Sequence, residues 1–197
     1  MNSEKTKIIA GVLIAAGESK RLGVPKQLIK WKGKTLIEFI IDIVQKANIQ
    51  PIYVVLGANY ENIKKKLKKL KIEIIHNESW QEGKGSSIRK GIRSLPSWAD
   101  AAIIFVVDQP YLTVNLVKEI IRQYQVYHYQ IIAPIVNGIQ TNPVLLDRSV
   151  FEDLKILEGE AGARTIFSKY NYYQINWQEK NILYDIDHQS DMKYLKT

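Results

Sequence analysis

Four stretches of this chain are almost unbroken runs of apolar residues: KIIAGVLIA at 7–15, PIYVVLG at 51–57, AAIIFVV at 101–107 and QIIAPIV at 130–136. A strand with one wet face alternates apolar and polar residues, whereas an unbroken run of strand length has both faces buried. With IEIIH at 72–76 they make five strands, and the segments between them carry helical spacing. These are KTLIEFIIDIVQKANI (34–49), the lysine-rich stretch 61–74, GSSIRKGIRSL (85–95) and VNLVKEIIRQYQVYH (114–128). Strand and helix in alternation predict a doubly wound α/β fold, Rossmann-like, its mostly parallel sheet covered by helices on both faces.

After Pro143 the pattern weakens. PVLLD reads as a short strand, 151–170 as short helical pieces around a glycine turn, YYQINW and NILYDI as strands, and HQSDMKYLKT as a closing helix. With no internal repeat, low-complexity stretch or linker, residues 1–197 are expected to form one domain.

The chain contains no cysteine, which excludes disulfides and thiolate zinc sites, and His76, His128 and His188 are too scattered for a metal-binding spacing. No apolar run reaches the roughly 18 residues of a membrane span, and MNSEKTK lacks the apolar centre of a signal peptide. A cytoplasmic protein without a membrane partner is the expectation. The net charge of +8 raises the question of nucleic acid. Much of the excess falls in 61–74, where Ile63, Leu67 and Leu70 form one apolar stripe and the lysines take the other face. A solvated helix face accounts for them, and no nucleic-acid partner is expected.

In sheets of this kind ligands sit beyond the carboxyl ends of the strands. The loops to inspect are therefore 16–26, 57–60, 76–87, 108–113 and 134–143. The first, AGESKRLGVPK, sets glycines among Lys20, Arg21 and Lys26. Bare backbone N–H groups at Ala16 and Gly17 with mobile cations suit a phosphate, although an ordinary turn with surface cations has the same composition. Two apparent phosphate motifs fail on spacing. Gly33-Lys34-Thr35 would need a glycine at Leu28, and Gly83-Lys84-Gly85 one at Ile88. Asp108 follows the most apolar strand, where packing has no use for an acid and a hard divalent ion does. Thr113 is free to cap the next helix.

The order LIAAGESKRLGVPKQL, NESWQEGKGSSIRKGI, VVDQP, GIQTNPVLL, GEAGAR and DIDHQSDMKYL is similar to the nucleotidyltransferases of molybdenum-cofactor maturation. Within the MobA-like NTP transferase superfamily, it most resembles the cytidylyltransferases that attach CMP to molybdopterin from CTP. The resemblance spans residues 8–195 and implies a nucleotide-diphospho-sugar transferase-like fold with Mg²⁺ as cofactor. It implies that Leu13, Ala15, Ala16 and Gly17 underlie the base and start the phosphate turn. Arg21 and Lys26 would hold the triphosphate and, with Asp108, carry catalysis. Gly83, Gly85, Ser86 and Ser87 would face the nucleoside, and Asp108 and Asp187 the metal. Asn142, Pro143, Gly162 and Arg164 would lie near the acceptor.

The implied substrates are CTP and a molybdopterin-type cofactor, with a molybdenum hydroxylase apoenzyme as a receiving partner. Guanylyl-transferring relatives typically have a glycine where this chain has Ala16 and a second motif unlike GKGSS, and both differences favour cytosine. Lys84 stands where relatives commonly have Met, and Gln140-Thr141 where they have Arg-Gly, which bears on the acceptor. Other phosphorylated acceptors, GTP as donor, and a non-catalytic nucleotide-binding module are the alternative readings.

Overall fold

The computed structural model describes residues 7–195. The opening of MNSEKTK and the last two residues of the predicted closing helix lie outside the described residues. In chain order the elements are β1 (Ile9–Ala15), β2 (Lys30–Trp31), β3 (Lys34–Thr35), α1 (Leu36–Lys46), β4 (Ile52–Leu56), α2 (Tyr60–Leu67) and β5 (Glu73–His76). Then follow α3 (Lys84–Arg93), β6 (Ala101–Val106), α4 (Val114–Tyr127), β7 (Ile131–Val136), β8 (Ile139–Gln140), β9 (Val144–Asp147), α5 (Phe151–Leu154) and β10 (Tyr172–Asn176).

The main sheet runs β10-β7-β9-β6-β1-β4-β5, with the two-residue β8 on β7. β1 pairs in parallel with β4 and β6, β4 with β5, and β7 with β10. Only β9, between β6 and β7, and the short β8 run antiparallel to their neighbours. The unbroken apolar runs have the predicted cause. Along β1, Ile9, Leu13 and Ala15 join a core with α1 and α4, while Val12 and Ile14 join a second core with α3 and α5. β6 divides in the same way, Ile103 and Phe105 to one side and Ala102 and Ile104 to the other. β5 lies at the edge of the sheet, and its Glu73 and His76 are exposed, as suits a strand that must not pair further.

The discarded Gly33-Lys34-Thr35 motif belongs to a hairpin: Lys32 (φ 47°) and Gly33 (φ 78°) form its turn in the left-handed region that such turns require, and Lys34-Thr35 is β3. The Glu38 carboxylate accepts from the Thr35 N–H at 2.9 Å and fixes the start of α1. Three expectations need correction. α2 stops at Leu67, so Ile63 and Leu67 make its buried stripe while Leu70 packs from the turn beyond. NILYDI opens within a single-turn 3₁₀ helix, Lys180–Leu183, rather than forming a strand, and β10 already occupies the sheet edge. The closing segment is likewise a 3₁₀ turn, Gln189–Leu195, rather than an α-helix.

The second face of the sheet is close-packed against α3. A Cβ on Gly91 would stand 2.6 Å from Val12 Cγ1 and 3.2 Å from Val55 Cγ2, two buried β-branched side chains with no room to turn. Gly91→Ala is therefore expected to lose roughly 1–3 kcal/mol by overpacking, outweighing the roughly 1 kcal/mol that alanine adds to a helix. Urea unfolding measures it. A variant at least as stable as the parent would mean that α3 is free to shift on the sheet.

Candidate active site

Beyond the carboxyl ends of β1 and β6 lies a cavity of about 490 Å³. It brings together Ala15, Ala16, Gly17, Arg21, Lys26, Gly83, Ser87, Asp108 and Asp187, all predicted from sequence. The loop after β1 is shaped by local bonds. Ser19 takes a left-handed conformation (φ 62°), and its hydroxyl accepts the Lys26 N–H at 3.1 Å, closing the loop around the intervening residues. From below, Gln27, only 1% exposed, donates its amide to the carbonyls of Ala15 (2.8 Å) and Gly17 (2.9 Å). With those carbonyls held inward, Gly17 and Arg21 border open space. Gln27 was not singled out from sequence; its place beside Lys26 is the only hint there.

Lys26 sits at the centre. Its ammonium donates to Asp108 Oδ2 at 3.1 Å and to Asp187 Oδ1 at 2.6 Å, and its side chain is 13% exposed. Burial by itself lowers the Lys26 pKa, but the Asp108 charge and the hydrogen bond and charge of Asp187 outweigh it and hold the ammonium above its ordinary range. The meeting of the two aspartates is built by backbone. The Ile186 N–H donates to the Asp108 carbonyl at 3.0 Å, and Ile186 is itself fully buried. Asp191 accepts the N–H groups of Asp187 (3.0 Å) and His188 (2.7 Å), which turns the tail toward the cavity. Gln109 fastens the same junction, donating to Thr141 Oγ1 at 2.7 Å and to the Ile182 carbonyl at 3.4 Å. Arg21, exposed at the rim, reaches His188 Nε2 at 3.5 Å.

The opposite wall is the entry to α3. Asn77 donates to Ser86 Oγ (2.9 Å) and Ser87 Oγ (3.0 Å). Ser86 then donates to the Gly83 carbonyl at 2.8 Å, so its proton is spent inside the turn while Ser87 borders the cavity. Gly83 and Gly85 are close-approach positions. A Cβ on Gly83 would lie 2.4 Å from the Gly159 carbonyl oxygen and one on Gly85 2.9 Å from that of Glu158. This contact sets Glu160 into the cavity wall. Trp80, also in the wall, lies over Gly57, where a Cβ would meet its Cβ at 2.5 Å. His76, the last residue of β5, stacks on Tyr60 with 3.9 Å between ring centroids and does not line the cavity.

Other candidates are placed elsewhere. Leu13 is fully buried in β1, in the core shared with α1 and α4, and Gly85 and Ser86 face the packing side of α3. Asn142, Pro143, Gly162 and Arg164 fall outside the cavity lining. The 134–143 loop is tied to the site by the bond between Thr141 and Gln109. Glu160, Trp80, Asn77 and Gln109 were missed as individuals, since a buried or wall-lining polar residue has no spacing signature. Among the described residues no three His, Cys, Asp or Glu gather as a metal site. Asp108 and Asp187 nevertheless converge on a single positive charge with hard oxygen donors, which fits a Mg²⁺-like ion that takes its remaining ligands from phosphate and water.

A family profile described as MobA-like NTP transferase domain matches residues 11–174. A probable molybdenum cofactor guanylyltransferase of Bacillus cytotoxicus is 31% identical over 183 residues, covering 89% of this chain and 88% of that protein. The nicotine blue oxidoreductase of Paenarthrobacter nicotinovorans is 32% identical over 114 residues, 57% of this chain and 55% of that protein. Among solved structures, Rv0371c of Mycobacterium tuberculosis superposes with a TM-score of 0.86 at 21% identity, over 97% of this chain and 98% of that one. A manganese complex of that protein gives 0.82 at 20% identity, over 96% and 98%.

The crowded carboxylates lead to a pH-dependent outcome. The Asp185 carboxyl is raised from 3.8 to about 7, by desolvation first and then by the Asp108 and Asp187 charges. The residue as a whole is solvent-exposed, so like-charge crowding is the part of this shift that the geometry supports most directly, and water screens it. A carboxyl with a raised folded pKa favours folding in its protonated form. That contribution is complete below about pH 4 and is lost as the pH rises through about 7. Asp185→Asn, neutral throughout, should be more stable than the parent at pH 8 and lose the advantage by pH 4. Melting curves across that range measure it, and an offset independent of pH would overturn the reading.

Proposed function

Because this chain belongs to the MobA-like NTP transferase domain family, we propose that it is a nucleotidyltransferase. It would move CMP from CTP to the terminal phosphate of a molybdopterin-type acceptor and release pyrophosphate. The observation that carries the reading is the cluster of Lys26, Asp108 and Asp187 beside the glycine-containing loop of β1. The acceptor phosphate is already an anion, so the attack on the α-phosphorus needs no strong base. The task is to align two polyanions that repel each other. Loop amides from Ala16 onward, Arg21 and Lys26 would take the triphosphate, Arg21 as a planar fork and Lys26 as a point charge. Ser87, Trp80 and Glu160 would border the nucleoside, and Gln27 would hold the loop rigid from below. Asp108 and Asp187 would hold the divalent ion, whose Lewis acidity would offset the charge that builds on the phosphates. The manganese complex of Rv0371c, a protein of the same fold, supports a divalent ion in this role.

The finer choice of CTP rests on Ala16 and the GKGSS loop, both at the cavity. GTP is the second reading, favoured by the name of the Bacillus relative. A thermal-shift panel of the four NTPs with Mg²⁺ separates them, since a ligand at 100 times its dissociation constant adds about 2.7 kcal/mol. CTP is expected to stabilise most, and equal or greater stabilisation by GTP would overturn the cytidylyl assignment.

Turnover tests the residues. Arg21→Ala and Lys26→Ala should each cost at least tenfold in triphosphate binding or turnover, about 1.4 kcal/mol. Lys64→Ala and Lys68→Ala, on exposed positions, should change little. Asp108→Asn should fold normally yet lose nearly all metal-dependent pyrophosphate release from CTP and molybdopterin. Near-normal release by that variant would remove the proposed metal site.

A further inference from the structure

The two carboxylates that suit a divalent ion are already engaged by a cation of the chain itself. Lys26 Nζ lies 3.1 Å from Asp108 Oδ2 and 2.6 Å from Asp187 Oδ1, with little solvent access. A Mg²⁺-like ion on those oxygens would stand about 2.1 Å from each, inside the space of the ammonium and against its charge. The two cannot share the position. The backbone of Lys26 cannot retreat either, because its N–H is bonded to Ser19 and Gln27 beside it is locked to the carbonyls of Ala15 and Gly17. Only the side chain is free to move, and the cavity that it borders, with Arg21 and the loop amides, is the place for another anion.

Charge decides which cation stays. Without nucleotide, expelling the lysine would break both of its ion pairs, with only the cavity water and the wall carboxylates Glu18 and Glu160 to replace a close anionic partner. A triphosphate supplies that partner and at the same time releases the carboxylates. We propose that Lys26 is a resident counter-ion that keeps divalent metal off Asp108 and Asp187 until a triphosphate draws its ammonium away, so that metal and nucleotide bind cooperatively. Linkage makes the coupling reciprocal: metal at the aspartates drives Lys26 onto the phosphates. This inference rests on the reading of the cleft as a nucleoside triphosphate site.

The probe is Mn²⁺ alone, followed through the electron paramagnetic resonance signal of the free ion during titration of nucleotide-free protein. Lys26→Met, which keeps much of the apolar stem and removes the charge, is expected to bind Mn²⁺ at least tenfold more tightly than wild type. Adding Asp108→Asn to Lys26→Met should abolish the gain and so locate the ion. Equal Mn²⁺ affinity in wild type and Lys26→Met, or no binding by either, would overturn the proposal. Wild type supplies a readout that needs no variant, through melting temperatures with Mn²⁺ alone, CTP alone and both. Mn²⁺ alone should leave the transition unmoved and the pair should exceed the sum of the single shifts. Additive shifts would overturn the coupling. If no NTP shifts the transition under any condition while the Mn²⁺ contrast holds, the nucleotide reading fails and the counter-ion role of Lys26 stands.

Discussion

Burial of both faces of the sheet is the constraint from which the rest of this structure follows. With helices on each side, β1 and β6 have no wet face, and a charge placed along them would have to be desolvated at a cost that no partner there offsets. Polar chemistry is displaced to the strand ends. At the carboxyl end the loops open away from the sheet, and there Ala16, Gly17 and Asp108 emerge within one cavity. The position of the site is thus a consequence of how the core is made, and its composition is left to the loops.

What turns those loops into one site is a set of contacts between distant parts of the chain. Lys26 lies 82 residues from Asp108 and 161 from Asp187, yet it bonds to both. The bond from Ile186 to the Asp108 carbonyl and the buried amide of Gln109 bring the far end of the chain to the end of β6. The segment forms no strand of its own. The Ile186 backbone bond, the Gln109 bond to the Ile182 carbonyl and the burial of Ile182 and Ile186 anchor it, and the two positions flanking Ile186 carry carboxylates. Two acids, Asp108 and Asp187, are thereby brought onto one lysine.

The relatives show how little the scaffold says about the acceptor. A molybdenum cofactor guanylyltransferase and a nicotine blue oxidoreductase share about a third of their aligned residues with this chain, under quite different names. Fold carries no chemistry by itself. The residues expected to meet the acceptor, Asn142, Pro143, Gly162 and Arg164, lie outside the cavity that gathers the phosphate-loop residues.

The α/β class and the site's end of the sheet were legible in sequence because they depend on short-range patterns. Unbroken apolar runs report two-sided burial, and a loop after a strand reports its own end of the sheet. Lys26 and Asp108 were visible for the same reason, as charges set beside a glycine-rich and an apolar stretch, whereas Asp187 was marked only by the family resemblance. Their mutual bonding was not visible, nor was the central place of β9, whose four residues look unremarkable until they are found between β6 and β7. Gln27, Asn77 and Gln109 were hidden too, since a buried amide is recognised only by the carbonyls and hydroxyls that it meets. By itself the sequence determined the layers of this protein and the edge at which its chemistry lies. The tertiary structure alone decided which charges meet, because meeting depends on backbone bonds between segments that no periodicity connects.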